Sequence, residues 1–228
     1  MTGRLDGRTA IVTGGGRGIG AAVARELTRR GARVTVFARS AAELEQVVRA
    51  GGAAQAVAGD VTIEADVSRL LADHERSAGP CDVLVLAAGI LERGRVEDLR
   101  PEAFRRVLEV NLTGAFLSCR AVVPGMRARR RGRIIGIASI SGHLGTPEAS
   151  AYNASKWGLI GFAKSLAEEL KPDGVQVMTV SPGSVDTRML AQTPFPPAMS
   201  PEDVARVVGF CAAEAPDAMT GSDVEVFG

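Results

Sequence analysis

The chain has 228 residues, 46% hydrophobic and 23% charged, with 27 Lys and Arg against 26 Asp and Glu for a formal charge of +1. That balance argues against the polycationic surfaces of nucleic-acid and anionic-membrane binders, and the length fits one sizeable α/β core. Cys81, Cys119 and Cys211 are odd in number, form no CxxC pair and accompany no histidine cluster, so they read as buried thiols in a reducing compartment and no metal site is expected.

The opening "MTGRLDGRTA" lacks an apolar run of signal-peptide length, and no stretch reads as the roughly 20 apolar residues of a membrane span. A cytoplasmic protein is expected. The first strand, "TAIVT", runs directly into "GGGRGIG" and a helix at about Ile19 to Arg30. Amides at a helix N-terminus have no carbonyl partners and carry partial positive charge, so a pyrophosphate can lie against them where no Cβ intervenes. Gly16, Gly18 and Ala21 match the loose dinucleotide pattern, and Gly14, Gly18 and Gly20 match a GxxxGxG spacing, with Ile19 between them. Ala21 stands where a nucleotide-triphosphate loop needs lysine.

The second strand ends "RVTVFARS". An acidic side chain there would accept bonds from the ribose hydroxyls of NAD. Ala38 occupies that place, Arg39 follows it, and Arg17 projects from the glycine turn toward the same region. Two cations and no anion suit a ribose 2'-phosphate, which guanidinium groups bind through paired, charge-assisted bonds. NADP(H) is therefore expected over NAD(H).

A helix at Ala41 to Ala50 leads to the strand "AQAVA" and then to "AGDVT", where Asp60, beside Val61, could meet the adenine amino group or cap the next helix. That helix, Ala65 to Ser77, carries His74 in a polar stretch that reads as solvent-facing. The strand "DVLVL" precedes a long helix at Pro101 to Arg130, which ends among five arginines between Arg127 and Arg133. A polyanion patch and a solvated helix end are the two readings of that cluster; cations suit the dipole there, and base-reading motifs are absent. "RIIGIA" leads to Ser139 and His143, and a helix at Ala151 to Lys171 carries Tyr152 and Lys156. Their spacing places both on one helix face, where an ammonium favours the ionised phenol and moves its pKa toward the working range. "VQVMTV", the proline-broken segment Met189 to Ser200, a helix at Pro201 to Ala213 and "DVEVF" complete the chain. Met189, Leu190, Phe195 and Met199 offer an apolar entrance or simple packing. The alternation predicts a single-domain α/β sandwich, residues 1 to 228: a doubly wound, seven-stranded parallel sheet flanked on both faces by six helices.

The blocks "GRTAIVTGGGRGIG", "GDVT", "EVNLTGAF", "GRIIGIASISG", "AYNASKWGLIGFAKSLAEEL", "VMTVSPGSVDT" and "MTGSDVEV", in this order, resemble the short-chain dehydrogenases/reductases. They are most similar to 3-oxoacyl-[acyl-carrier-protein] reductase-like members. The resemblance implies a Rossmann fold and a catalytic tetrad of Asn111, Ser139, Tyr152 and Lys156. Tyr152 would protonate the developing alkoxide and Ser139 would hold the carbonyl oxygen. Lys156 would lower the phenol's pKa and bind the nicotinamide ribose, and Asn111 would hold water in a proton relay. Read from its residue type alone, Asn111 could equally bond backbone at a helix irregularity. The resemblance also implies that Ala88 and Gly89 meet the adenosine ribose, that Pro182 and Gly183 wall the nicotinamide pocket, and that Val185 and Thr187 hold the carboxamide. His143 reads as pocket lining or as an incidental loop residue, and residues 188 to 200 as a substrate lid or a plain connection.

Leu86 and Ala87 depart from the family's usual paired asparagines, the tail stops at "VEVFG", and the segment after Thr187 is brief. The expected activity is NADPH-dependent reduction of a ketone, such as a 3-oxoacyl thioester or small ketone, to a secondary alcohol, by a homotetramer or a dimer. An NAD-dependent alcohol or sugar dehydrogenase is the enzymatic alternative, against which Ala38 counts. A non-catalytic NADP(H)-binding sensor is the other, against which the intact tetrad counts. A Ser-His-Asp hydrolase would need a GxSxG elbow, which is absent.

Overall fold

The computed structural model describes residues 3–228. Seven parallel strands form one sheet in the order β3-β2-β1-β4-β5-β6-β7. They are β1 (Thr9–Thr13), β2 (Arg33–Ala38), β3 (Gln55–Ala58), β4 (Val83–Leu86), β5 (Gly132–Ile137), β6 (Val175–Pro182) and β7 (Asp223–Val226). Each apolar run of the sequence lies on a strand, and the central strands β1, β4 and β5 are buried along almost their whole length because helices cover both faces. On one face α1 (Gly18–Arg29), α2 (Ala41–Arg49) and α7 (Pro201–Ala213) bury Leu27, Leu44 and Val208 against Val12, Val36 and Met178. On the other, α3 (Glu64–Ala78), α4 (Pro101–Leu108), α5 (Gly114–Arg129) and α6 (Ser150–Leu170) enclose Ile11, Phe37, Leu84 and Ile134.

Strand order reverses between β1 and β4. In such sheets the crevice beyond the strands' carboxyl ends at that reversal is where ligands bind. This is a Rossmann-like arrangement.

Two helical features differ from the sequence reading. The expected helix from Pro101 to Arg130 is two helices joined by a π turn, Glu109–Thr113, where the Gly114 amide donates to the Glu109 carbonyl. By length and composition the 29-residue stretch Pro101–Arg129 could span a membrane. Its Val107, Ala115, Cys119, Val122 and Met126 are instead buried within the fold. His74, expected at the surface, is fully buried. Its Nδ1 lies 2.8 Å from the Thr35 hydroxyl and its Nε2 3.2 Å from that of Thr9. Burial pushes its pKa down to about 4, with Asp82 opposing and Arg33 assisting.

The arginine cluster is spent internally. Arg127 pairs with Glu169 at 2.9 Å and Asp173 at 2.8 Å, and Arg131 pairs with Asp82 at 2.6 Å. Arg129 and Arg130 donate to the carbonyls of Cys81 and Pro172, and Arg133 donates to those of Cys211 and Ala215. These groups clamp the end of the sheet opposite the crevice. All three cysteines are buried; burial pushes Cys81 up to about 12 and Cys211 to about 11, and raises Cys119 as well.

Candidate active site

The glycine turn forms the floor of the crevice, and its glycines have different duties. Gly14 has φ +67°, and a Cβ there would lie 2.6 Å from the Ala87 carbonyl; one on Gly20 would lie 2.2 Å from the Gly14 oxygen. These two let the turn pack on β4 and on itself. Gly18 also takes φ +52°, where a Cβ would meet only the Thr187 side chain, at 3.4 Å, and one on Gly16 would meet Glu43 at 3.3 Å. Gly16 and Gly18 therefore keep the crevice side of the turn low. Arg17, the residue before α1, makes no capping bond, and the first turn holds no acid. The helix's leading amides, Ile19 among them, keep their donors for a bound anion.

Beyond this turn Asn111, Ser139, Tyr152 and Lys156 converge from three elements. The π turn carries Asn111, 2% exposed. Its Oδ1 accepts from the Ile90 amide at 2.8 Å, and its Nδ2 donates to the Ile90 carbonyl at 3.0 Å and to the Ser155 hydroxyl at 2.9 Å. Asn111 thus bonds backbone at a helix irregularity, fastening the loop of Ala88 and Gly89 to α6. A Cβ on Gly89 would lie 3.5 Å from Asn111 Oδ1 and 3.9 Å from Lys156 Nζ, so that loop runs alongside both side chains.

Ser139 follows β5 in extended backbone, and its Oγ accepts from the Ser141 amide at 3.1 Å, which leaves its proton free to donate. The short turn after it packs tightly on α6: a Cβ on Gly142 would lie 2.5 Å from Ile160 and 3.2 Å from the Lys156 carbonyl. That contact fixes Ser139 relative to the helix bearing the phenol and the amine. Lys156 is 5% exposed, and its Nζ donates to the Ile137 carbonyl at 2.7 Å while standing 5.5 Å from the centre of the Tyr152 ring. Two of its three N–H bonds remain available.

The electrostatics differ from expectation. Burial lowers Lys156 to about 8. It also raises the Tyr152 phenol, and only the adjacent Ser139 hydroxyl opposes this. Low polarisability penalises both charged forms, so in this state the amine does not bring the phenol down.

Several predicted contacts have other duties. Asp60 Oδ1 accepts from the Thr62 amide at 2.9 Å and hydroxyl at 2.8 Å, and Arg106 donates to its Oδ2 at 3.0 Å. Burial would raise its carboxyl, but the bonds from Thr62 and Arg106 hold it below the usual range. It caps a turn, and Val61 beside it is buried under Gly114. Arg39 is exposed. The cations are not without an anion: Glu43, in the first turn of α2, lies 3.1 Å from Arg17 and 3.6 Å from Arg188. Glu43 lies on the helix and not at the strand end, where sequence places the ribose-reading acid.

Pro182 ends β6, and the Gly183 amide donates to the Val226 carbonyl at 2.8 Å. Val185 is buried beside Met199 in a parallel bridge, and the Thr187 hydroxyl accepts from the Leu190 amide at 3.3 Å. The segment at 188–200 is closed at its neck, where the Asp186 amide donates to the Met199 carbonyl at 2.9 Å and the Ala198 amide to the Ser184 carbonyl at 2.8 Å. Phe195 is exposed, but Met199 belongs to the core and not to an apolar entrance. His143 places Nε2 2.7 Å from Asp223, whose carboxylate also accepts from Thr179 and Ser181. His143, Asp223 and Glu225 bring ligand-type atoms within 4.8 Å of one another, and Asp223 is already engaged by three protein groups. Ser155 and Asn153 are two site residues that the motif blocks do not single out. Ser155 receives Asn111, and Asn153 Nδ2 holds the Leu144 carbonyl at 2.6 Å; their places inside the Tyr152-to-Lys156 turn were the available signal.

Known proteins resemble the chain in sequence and in fold. Residues 8–195 match the family described as short chain dehydrogenase. The chain is 39% identical to the 3-alpha-(or 20-beta)-hydroxysteroid dehydrogenase of Mycobacterium tuberculosis, over 100% of this chain and 91% of that protein. It is 35% identical to the 3-oxoacyl-[acyl-carrier-protein] reductase of Vibrio cholerae, over 98% and 97%. A crystal structure of the 3-ketoacyl-(acyl-carrier-protein) reductase from Brucella melitensis complexed with NADH superposes with a TM-score of 0.93 at 30% identity, covering 98% of each chain. The chain belongs to the short-chain dehydrogenase/reductase family, oxidoreductases that work with a nicotinamide cofactor.

Proposed function

We propose that this chain is an NADPH-dependent reductase that converts a ketone to a secondary alcohol. The observation that carries the reading is the convergence of Ser139, Tyr152 and Lys156 beside a glycine turn with open amides. The residues fit a dinucleotide: Gly16 and Gly18 leave the turn uncovered on the crevice side, α1 begins without a side-chain cap, and Lys156 has spare donors. Gly14 and Gly20 shape the turn, Arg17 and Arg39 would serve the adenosine end, and Pro182, Gly183, Val185 and Thr187 the nicotinamide end. Asp60 and Val61 would act only by shaping the adenine wall.

When bound, the cofactor supplies a hydride to the carbonyl carbon. Ser139, with its proton free, holds the carbonyl oxygen and stabilises the charge that develops there. Tyr152 gives the proton from its Oη to that oxygen. Lys156, with a pKa of about 8, carries charge near neutral pH, and its spare N–H bonds suit it to hold the cofactor's ribose and, in the bound state, to stabilise the phenolate left behind. Asn111 positions the π turn, the loop after β4 and α6. Substrate classes open to this site are 3-oxoacyl thioesters and small ketones; the name of the acyl-carrier relative favours the first, and that of the steroid relative adds a bulkier ring ketone.

The outer faces of α5 and α6 carry Phe116 and Trp157, 45% and 55% exposed, with Phe116 edge-on to Phe162 at 6.4 Å. Exposed aromatics on two adjacent helices support self-association through this face into a dimer or tetramer; light scattering at several concentrations reads the state directly.

The test of the function is a panel of ketones and 3-oxoacyl thioesters with NADPH or NADH, followed by nicotinamide absorbance beside Tyr152→Phe. Turnover that prefers NADPH and drops at least a hundredfold in the variant supports the reading. Full activity of the variant overturns the mechanism, and a preference for NADH establishes the NAD-dependent alternative.

A further inference from the structure

We propose that Glu43 is a selectivity-determining residue, a resident carboxylate that competes with a cofactor's 2'-phosphate for Arg17 and Arg188. The inference rests on the NADPH reading and refines it.

Glu43 is not a wandering surface acid. Its amide donates to the Ser40 hydroxyl at 3.3 Å, anchoring it in the first turn of α2, and its side chain is 25% exposed. A Cβ on Gly16 would stand 3.3 Å from Glu43 Cβ, 3.6 Å from its Oε2 and 3.7 Å from Ala38 Cβ. Glu43 therefore fills the corner between the glycine turn and the end of β2, where a dinucleotide fold presents its ribose-reading group. Arg17 reaches both carboxylate oxygens, at 3.1 and 3.4 Å, and Arg188, from the segment after Thr187, lies 3.6 Å away. One carboxylate thus joins the glycine turn to the start of the 188–200 segment.

The consequence for two cofactors is opposite. Ribose hydroxyls can donate to a carboxylate, so Glu43 provides from the helix the acceptor that Ala38 lacks on the strand. A 2'-phosphate brings two negative charges toward that oxygen pair and must draw Arg17 and Arg188 away from it. Arg39, exposed and in no ion pair among the described residues, remains free for the phosphate. Opposed groups in one corner give moderate selectivity, and removing the acid tilts it.

Dissociation constants of NADPH and NADH, measured by fluorescence quenching for wild type and Glu43→Gln at low and high salt, test this. The amide keeps the shape, and circular dichroism confirms the fold. The expected result is a Kd ratio, NADH over NADPH, that rises about five- to tenfold in Glu43→Gln and shrinks toward wild type at high salt, the scale of one partly screened charge pair. A ratio within about twofold of wild type, on the same scale, overturns the proposal. The wild-type preference separately decides the NADPH reading: tighter NADH binding with a large shift in the variant removes that reading and keeps Glu43's role. NADPH preference with no shift does the reverse, and wild type that binds neither cofactor overturns both.

Discussion

Asn111 Nδ2 donates to the Ser155 hydroxyl at 2.9 Å, and Ser155 in turn donates to the Tyr152 carbonyl at 2.7 Å. The π turn is thereby tied to the helical turn that carries the phenol and the amine. Removing the Ser155 hydroxyl leaves Asn111 its bonds to Ile90, so Ser155→Ala is expected to cost about 1 kcal/mol. Asn111→Ala removes all three bonds within a buried site and is expected to cost roughly 2–4 kcal/mol. Urea unfolding of both variants checks the order; equal losses would show that the bond to α6 carries the whole effect.

Lys156 is a buried cation whose only protein acceptor among the described residues is the Ile137 carbonyl. Its folded pKa of about 8 lies below the ordinary 10.5. Between those values the unfolded chain binds more protons than the folded one, so stability rises with pH across that window and the penalty is full below it. Lys156→Met should remove that slope and stabilise the fold at pH 7 by on the order of 2 kcal/mol, while abolishing the proposed turnover. Thermal unfolding at pH 7 and pH 10 reads the sign. A less stable variant at pH 7 would mean that the bond to Ile137 outweighs the burial of charge.

The strands were legible because a parallel sheet buried on both faces demands unbroken apolar runs, and β1 begins and ends where "TAIVT" does. Tyr152 and Lys156 were legible because helix spacing puts i and i+4 together. Glu43 was not, since its approach to Gly16 depends on how α2 packs against the turn. Nor was the π turn, because one extra residue in a helix leaves no mark in composition. His74 misled for a different reason. Val67, Leu70 and His74 share the buried stripe of α3, but the polar neighbours of His74 masked that periodicity.

Two glycines separate shape from propensity. Gly20→Ala would set its Cβ 2.2 Å from the Gly14 oxygen, a backbone atom that cannot give way without moving the turn. The expected loss is about 3 kcal/mol or more, with cofactor affinity falling as well. Gly161 lies exposed in α6, where a Cβ meets nothing within 4 Å. Gly161→Ala should stabilise by about 0.5–1 kcal/mol through helix propensity. Melting temperatures that move in opposite directions support both assignments; destabilisation by Gly161→Ala would indicate that this face is packed in the assembled protein.

His74 should govern part of the acid response of the fold. Its folded pKa of about 4 lies below the ordinary 6.5, because burial disfavours the imidazolium. Above pH 6.5 both states are neutral and the group exerts no pH dependence. Between about 6.5 and 4 the unfolded chain takes up a proton that the folded chain refuses, so stability falls as the solution is acidified. The loss across this window is on the order of 2–3 kcal/mol. His74→Gln keeps a polar group between Thr9 and Thr35 but cannot titrate. Its stability at pH 7 should drop modestly, by about 1–2 kcal/mol, for the imperfect bonds. Its stability should then change less than wild type's between pH 6.5 and pH 4.5, as measured by urea midpoints at each pH. If the two profiles run parallel, the acid sensitivity lies in the carboxylates and the buried imidazole is only a spacer between two strands and α3.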